Sequence, residues 1–157
     1  MKMAHAVDNV GTVKLVDAAK QSGVRRFVLV SSILTNGRAI GQQNSIGFRV
    51  TNAFGGVLDE KLVAEQALRA SGLEWVIVRP GGLKDGAPSC ELAVSAEDTL
   101  FSGEATRSLV ADVCAEAGLG GATGRVVEVV ETGTCVAGSC PADLAAAPAD
   151  PAGWHAA

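Results

Sequence analysis

The sequence predicts an α/β fold with a parallel sheet, and three observations support this prediction. Residues 8–22 and 57–71 carry apolar side chains at helical spacing, and a glycine follows each segment. Each helix leads directly into a short apolar run, RRFVLVSS or GLEWVIVRPGG, of the kind found in strands buried on both faces. Two helix-then-strand units in succession are typical of parallel strands joined by crossover helices.

The first helix places Val10, Val13 and Val16 at three-residue steps and is expected to end at Gly23. The first strand follows at residues 25–32. The next segment, residues 35–52, is rich in glycine, asparagine and glutamine without a clear period. We therefore predict a long loop there, and a loop of this length is a candidate lid over a site.

The second helix, residues 57–71, leads into a strand. This strand is expected to stop at Arg79, because Pro80 follows and the residue before a proline is restricted in conformation and marks a boundary. Within this helix Val57, Lys61, Ala64 and Leu68 form one stripe that faces the core. The lysine in that stripe has two interpretations, a ligand contact or a side chain that reaches water past its packed stem.

The remaining chain predicts fewer elements. Residues 84–97 are expected to be irregular, Thr106 is expected to cap a helix that runs to about Ala117, and RVVEVVE at residues 125–131 predicts a third strand. Residues 132–157 are rich in alanine, glycine and proline and predict a disordered tail. The folded domain is therefore expected to cover residues 1–131.

Composition excludes several classes of function. Thirteen basic residues against seventeen acidic ones give a net charge of −4, which argues against nucleic-acid binding. The only histidines, His5 and His155, lie at opposite ends, so histidine metal sites and Ser-His-Asp triads are not expected. The four cysteines lack CxxC spacing, and whether Cys135 and Cys140 pair is left open. No apolar run reaches the roughly 18–20 residues of a membrane span.

One glycine motif has the spacing of a phosphate loop in the wrong order. Gly118, Gly121 and Gly124 fit GxxGxxG, but a predicted helix precedes them and a predicted strand follows. A dinucleotide loop needs the opposite order, so that the N-terminus of the following helix faces the phosphates. We therefore predict a helix stop and a turn.

Four segments, in order, carry a family resemblance: VDNVGTVKLVDAAKQSGVRRFVLVSSI, LDEKLVAEQALRASGL, WVIVRPGGLKDGAP and EDTLFSGEATRSLVADV. Together they resemble the atypical short-chain dehydrogenase/reductases, in particular the plastid NmrA-like NAD(P)-binding group, which includes a redox-sensor subunit of the chloroplast inner-envelope import machinery. The resemblance covers about residues 7–130. It implies the C-terminal half of a Rossmann-like fold, binding of NADP or NAD, and a chloroplast location, stromal or thylakoid-associated.

The resemblance also implies a cofactor site at the carboxyl ends of the strands. Residues 31–33, which leave the first strand, are expected to border the nicotinamide. Lys61 is expected to reach the ribose hydroxyls. Residues 80–83, which leave the second strand, are expected to lie beside the nicotinamide amide. The simpler alternatives are a strand end, a solvated lysine and a turn. These site residues are Ser31, Ser32, Ile33, Lys61, Pro80, Gly81, Gly82 and Leu83. The acidic residues around the lysine, Asp59, Glu60 and Glu65, are expected to form helix-surface ion pairs.

The sequence departs from the family pattern in two ways. The catalytic tyrosine expected four residues before Lys61 is replaced by Val57, and the chain contains no tyrosine, which excludes tyrosine-dependent reduction. The first strand of the family's fold and its glycine loop are also missing, so we expect an N-terminally truncated chain. The strand predicted at residues 25–32 would then expose an open edge. The function expected is an NAD(P)-binding oxidoreductase-like protein. The alternative is a non-catalytic interaction or assembly subunit with a redox-sensing role, which docks on a larger complex through that edge.

Overall fold

The computed structural model describes residues 3–87, 92–120 and 123–132. Its main sheet has four strands in the order β1-β2-β6-β4, and a second sheet pairs β3 with β5. The strands are β1 (Arg26–Val30), β2 (Glu74–Pro80), β3 (Gly82–Lys84), β4 (Leu92–Ser95), β5 (Glu104–Thr106) and β6 (Arg125–Glu131). The helices are α1 (Thr12–Gln21), α2 (Ile46–Asn52), α3 (Val57–Arg69) and α4 (Arg107–Leu119).

The parallel sheet is confirmed, and β2 and β6 are buried on both faces, whereas β1, which was also predicted to be buried, lies at the sheet edge and is only partly buried. β1 pairs with β2 and β2 pairs with β6, all in parallel. One face of β2 and β6 packs against α4 through Val110 and Val113, and the other face packs around Val16 and Leu68 of α1 and α3. The apolar runs are continuous because successive side chains of each strand enter opposite cores.

The prediction of an irregular segment at residues 84–97 is wrong in part. Leu92–Ser95 form β4, which pairs antiparallel with β6, and Gly82–Lys84 form β3. Each strand is only three or four residues long, too short for a period to be visible in the sequence. Leu92 and Val94 gain their burial from packing on the core beside α4.

The predicted loop at residues 35–52 also needs correction, because its second half is helical. Ser45 caps α2 by accepting a hydrogen bond from the backbone N–H of Phe48 at 3.3 Å. Only Phe48 of this helix is buried, whereas Ile46 and Val50 are exposed. A single buried residue leaves no helical period to detect, and residues 34–44 form turns.

The other helices agree with their predictions apart from their ends. The first helix begins earlier than residue 8, with a π-helical segment, His5–Gly11, that continues into α1. α3 matches its prediction within two residues, and α4 runs to Leu119 rather than Ala117. The hydroxyl of Thr106 caps α4 by accepting from the backbone N–H of Leu109 at 3.4 Å.

In the glycine-rich connection between α4 and β6, the predicted helix stop is confirmed at Gly120. The N–H of Gly120 donates to the carbonyl oxygen of Glu116 at 2.7 Å, which closes the helix. Gly124 has a φ of +66°, and its N–H donates to the carbonyl oxygen of Trp75 at 2.8 Å. Gly121 lies outside the described residues, and so do residues 133–157, which include the predicted tail, Cys135 and Cys140.

Candidate functional site

A cleft of about 770 Å³ opens at the carboxyl ends of β1 and β2. It lies where open parallel sheets bind their ligands, and its size suits a small molecule. All the residues expected to contact the cofactor line this one cleft, although they come from three separate parts of the chain: Ser31, Ser32, Ile33, Lys61, Pro80, Gly81, Gly82 and Leu83.

The first wall is the segment that leaves β1. It continues to follow β2, since the N–H of Ser31 donates to Val78 at 2.7 Å and the N–H of Ile33 donates to Pro80 at 3.0 Å. The Ser31 hydroxyl is buried and lies 3.3 Å from the Thr35 hydroxyl. Leu34 has a φ of +64°, a conformation that a leucine adopts only where its surroundings fix it.

The second wall is the segment that leaves β2. The N–H of Gly81 donates to Val129 of β6 at 2.9 Å, and the N–H of Gly82 donates to Gly103 at 2.9 Å. Gly81 is buried against the backbone of Gly103, where a Cβ atom would lie 2.4 Å from the carbonyl oxygen. The glycine is therefore required by the close approach of two backbone segments. Leu83 follows with 45% of its surface exposed at the cleft.

Lys61 lies on α3 and faces the cleft from the third side. Its Nζ atom is 3.0 Å from Oδ1 of Asp8 in the π-helical segment, and its side chain is only 26% exposed. Ala64 and Leu68 of the same stripe are buried, as predicted. The ammonium is thus held at the cleft rather than released into open water.

The start of α3 is tied to the turns that follow the first wall. Asn52 Oδ1 accepts the N–H of Leu58 at 3.0 Å, and Arg38 donates two hydrogen bonds to Asp59, at 2.7 and 2.8 Å. The hydrogen bond from Arg38 holds the pKa of Asp59 below its ordinary value, although partial burial opposes this. The expected helix-surface ion pairs are replaced by contacts outside α3, with Arg38 for Asp59 and with His5 and Asn9 for Glu60, and Glu65 is fully buried.

The ion pair between Arg38 and Asp59 is expected to make the free energy of unfolding depend on pH in the acid range. A carboxyl group with a lowered folded pKa stabilises the protein above its unfolded value of about 3.8, and this contribution disappears as the pH falls towards the folded pKa. Urea unfolding should therefore show Arg38→Gln less stable than wild type at pH 6, with the difference shrinking below pH 4. In an Asp59→Asn background the same Arg38 change should have no such pH dependence. A difference that stays constant from pH 6 to pH 2.5 would contradict this assignment.

The cleft has further walls beyond the predicted site residues. The helix α2, in a segment predicted as a loop, lines the cleft through Ile46, Gly47 and Thr51. Phe101, Ser102, Gly103 and Glu104 contribute the segment that leads into β5. The only available signal for these four residues was their place in the fourth resembling segment, EDTLFSGEATRSLVADV, which implied no role for them.

The chemistry of the cleft is that of an apolar site with a few polar groups. Most lining side chains are aliphatic, aromatic or glycine, and the charged residues among them are Lys61 and Glu104. An apolar wall suits a planar ring, whereas serine hydroxyls and an ammonium can donate hydrogen bonds to amide and hydroxyl oxygens. The residues present therefore fit a nicotinamide riboside. Within the described ranges, no group of three or more His, Cys, Asp or Glu residues is arranged to hold a metal ion.

Comparisons with known proteins agree with this fit. The family model described as NAD(P)H-binding matches residues 2–118. A chloroplastic protein of Arabidopsis thaliana without an assigned function is 49% identical over 125 residues, which cover 79% of this chain and 45% of that protein. Protein TIC 62 of the same plant, also chloroplastic, is 38% identical over 117 residues, which cover 71% of this chain and 17% of that protein.

The solved structures give the same fold. The oxidoreductase ylbE of Lactococcus lactis superposes with a TM-score of 0.71 at 25% identity, over 85% of this chain and 58% of that one. This chain thus spans less than two thirds of the length of these relatives. No helix in the described part of the chain has both the length and the apolar character needed to cross a bilayer.

These findings confirm the resemblance to plastid short-chain dehydrogenase/reductase-like proteins and the Rossmann-like fold that it implied. The plant relatives are chloroplastic, which supports the expected chloroplast location. Because the family model covers most of the sequence, this chain belongs to the NAD(P)H-binding family.

Proposed function

We propose that this chain provides the nicotinamide side of an NAD(P)H site in a chloroplast oxidoreductase-like protein. The observation that carries the proposal is the convergence of three separate segments on one cleft at the carboxyl ends of β1 and β2. Family membership supports a nicotinamide dinucleotide as the ligand. Either NADP or NAD is compatible with the cleft, since the residues that line it include no group assigned to the adenosine ribose.

Each wall has a proposed role in holding the cofactor. Ser32 and Ile33 border the nicotinamide ring from the β1 side, together with Ser31. The residues after β2, Pro80 to Leu83, place backbone groups beside the carboxamide. Lys61 donates to the ribose hydroxyls, and its ion pair with Asp8 holds the ammonium at the cleft. When bound, the nicotinamide supplies hydride-transfer chemistry.

Removal of the Lys61 ammonium tests this site directly. Lys61→Met keeps the packed stem but removes a charged donor, whose hydrogen bonds are worth about 1.5–3 kcal/mol, so affinity should fall by roughly tenfold or more. Fluorescence titration with NADPH and NADH measures the change. Lys14→Met, on the exposed face of α1, is the matched control and should bind as wild type.

Two fragments of the cofactor sharpen the experiment. A nicotinamide-side site should bind reduced nicotinamide mononucleotide, and Lys61→Met should weaken that binding too, whereas AMP contains only the adenosine half and should not compete. The absence of saturable binding of NADPH, NADH and the reduced mononucleotide to wild-type protein would refute the proposal. Competition by AMP would instead assign the cleft to the adenosine half of the dinucleotide.

A second candidate function is a non-catalytic assembly or redox-sensing subunit. It is favoured by the lack of any tyrosine and by Val57, which lines the cleft one turn before Lys61 where the resembling reductases carry their acid/base tyrosine. The partner is proposed to pair with β1, which lies at the edge of the sheet with Val30 42% exposed. This function requires cofactor binding without turnover. Light scattering that shows a folded, monodisperse monomer would argue against a required partner.

A further inference from the structure

A cluster of charged side chains is buried directly behind the cleft. Its centre is Arg79, which directly precedes Pro80 at the end of β2. The Arg79 side chain has no exposed surface. The guanidinium donates two hydrogen bonds to Glu65 of α3, at 3.0 Å from Nε and 2.7 Å from Nη2. Glu128, its register partner on β6, is also fully buried and lies 3.5 Å from Nη1.

The same guanidinium reaches the segment between β4 and β5. Nη2 of Arg79 donates to Glu97 at 2.9 Å, and Nη1 donates to Asp98 at 2.8 Å. Arg69 of α3 also contacts Glu97. Four carboxylates and two guanidinium groups thus meet in a region that is largely closed to solvent.

Glu128 fixes the backbone of that segment. Its carboxylate accepts three consecutive backbone N–H groups, from Asp98 and Thr99 at 3.0 Å each and from Leu100 at 2.7 Å. Asp98 adopts a φ of +62°, a conformation that favours aspartate, asparagine or glycine. The chain therefore wraps around one buried anion immediately before Phe101 enters the cleft wall.

The cluster also reaches the wall that leaves β1. The side-chain amide of Asn36 donates to Oδ2 of Asp98 at 2.8 Å, and Asn36 is almost fully buried. Asn36 lies three residues after Ile33, in the turns that follow that wall. On α3, Glu65 is one turn after Lys61 and is held by Arg79. Four of the five segments around the cleft, those other than α2, thus have a link to this cluster described above.

We infer that Arg79 is a positioning residue for the cleft, which acts with Glu65, Asp98 and Glu128 to fix four of the five segments that form its walls. The inference rests on the proposed function, because the positioned cleft is the proposed dinucleotide site. It adds a role for residues that touch no ligand. Binding depends on distances held to within a fraction of an ångström, so a small shift of one wall weakens it.

Two isosteric variants test this role without removing the central guanidinium. Asp98→Asn keeps the left-handed backbone, and Glu128→Gln keeps the side-chain volume but cannot accept from all three N–H groups as the carboxylate does. Asp85→Asn is the matched control, since Asp85 forms an exposed ion pair with Arg107 and neither residue lines the cleft. Affinity for NADPH and NADH is measured well below the melting temperature of each variant, so that instability alone does not change it.

We expect roughly tenfold weaker binding for Asp98→Asn and Glu128→Gln, and wild-type binding for Asp85→Asn. In ligand-free ¹H–¹⁵N spectra, Asp98→Asn should shift amide signals of residues 31–36, 81–83 and 101–104. If Glu128→Gln fails to fold, the Asp98 variant decides. Unchanged affinity in the folded cluster variants would overturn the inference. If wild-type protein binds no nucleotide, the proposed function fails, and the amide shifts decide the positioning role: shifts confined to residues 96–100 overturn it.

Discussion

Replacement of Arg79 by methionine is expected to lower the free energy of unfolding by about 3–5 kcal/mol, because it leaves buried carboxylates without their cation. Glu65 and Glu128 are fully buried, and Glu97 is 9% exposed. Burial acts to lower the pKa of the Arg79 guanidinium, but the hydrogen bonds and charge of Glu65, together with the charges of Glu97 and Asp98, raise that pKa above its ordinary value. Urea unfolding at pH 7 measures the loss.

The effect of Arg79→Met should shrink in acid. Burial raises the pKa of Glu97, and the charges of Arg79 and Arg69 oppose that rise. Without Arg79 the pKa of Glu97 rises further. A carboxyl group whose pKa is raised in the folded state stabilises the fold at pH values below its unfolded pKa, which is about 4.5 for glutamate. This contribution is lost as the pH rises. The deficit should therefore be largest at neutral pH and smaller below pH 4.5.

Two controls separate this charge effect from a general loss of packing. Arg107→Met removes an exposed guanidinium that pairs with Asp85 and should change stability by no more than about 0.5 kcal/mol. Adding Glu65→Gln to Arg79→Met removes one of the stranded charges and should recover part of the loss. A double variant that is less stable than Arg79→Met alone, at pH 7, would show that unpaired charge is not the cause.

The second large effect is expected at Gly81. A Cβ atom there would lie 2.4 Å from the carbonyl oxygen of Gly103 and 3.0 Å from Cγ1 of Val130. Neither neighbour can move freely, because Gly103 O accepts the N–H of Gly82 and Val130 lies in β6. Gly81→Ala should therefore lower the free energy of unfolding by about 1–3 kcal/mol and separate the β3–β5 sheet from β6.

The adjacent glycine is the matched control for this prediction. A Cβ atom at Gly82 would meet its nearest neighbour, Cγ of Glu104, at 3.6 Å, which is ordinary contact. Gly82→Ala should therefore melt close to wild type, while Gly81→Ala melts several degrees lower in thermal unfolding monitored by circular dichroism. Equal melting temperatures for the two variants would refute the close approach of the two backbone segments.

The parts of the fold that the sequence predicts well are those with a long, regular pattern. α1, α3, β2 and β6 each have several apolar side chains at one spacing, and their parallel order follows from the helix-then-strand succession. The site residues after β1 and β2 could be assigned because parallel strands end at a shared edge. β4 escaped prediction because it is held by its pairing with β6 and is too short to show a period.

The buried charge cluster shows what a local pattern cannot reveal. Glu65 was expected to pair on the helix surface with Lys61, yet it points inward to Arg79, which lies fourteen residues further along the chain. Two signals were present in the sequence. Arg79 ends a strand predicted to be buried on both faces, and Glu128 interrupts a run of four valines. A charge inside such a strand requires a buried partner, but the sequence does not say which element supplies it.

The pairing of the parallel strands also bears on the speed of folding. Arg26 meets Glu74 across 48 residues, and Arg79 meets Glu128 across 49. Each pairing closes a long loop, and the chain entropy of that closure is lost before the contacts can offset it. Helices α3 and α4 need only local contacts and can form within microseconds, whereas the sheet depends on distant encounters. The central strand β2, which pairs with both β1 and β6, must therefore find both distant partners before the carboxyl ends of the strands come together.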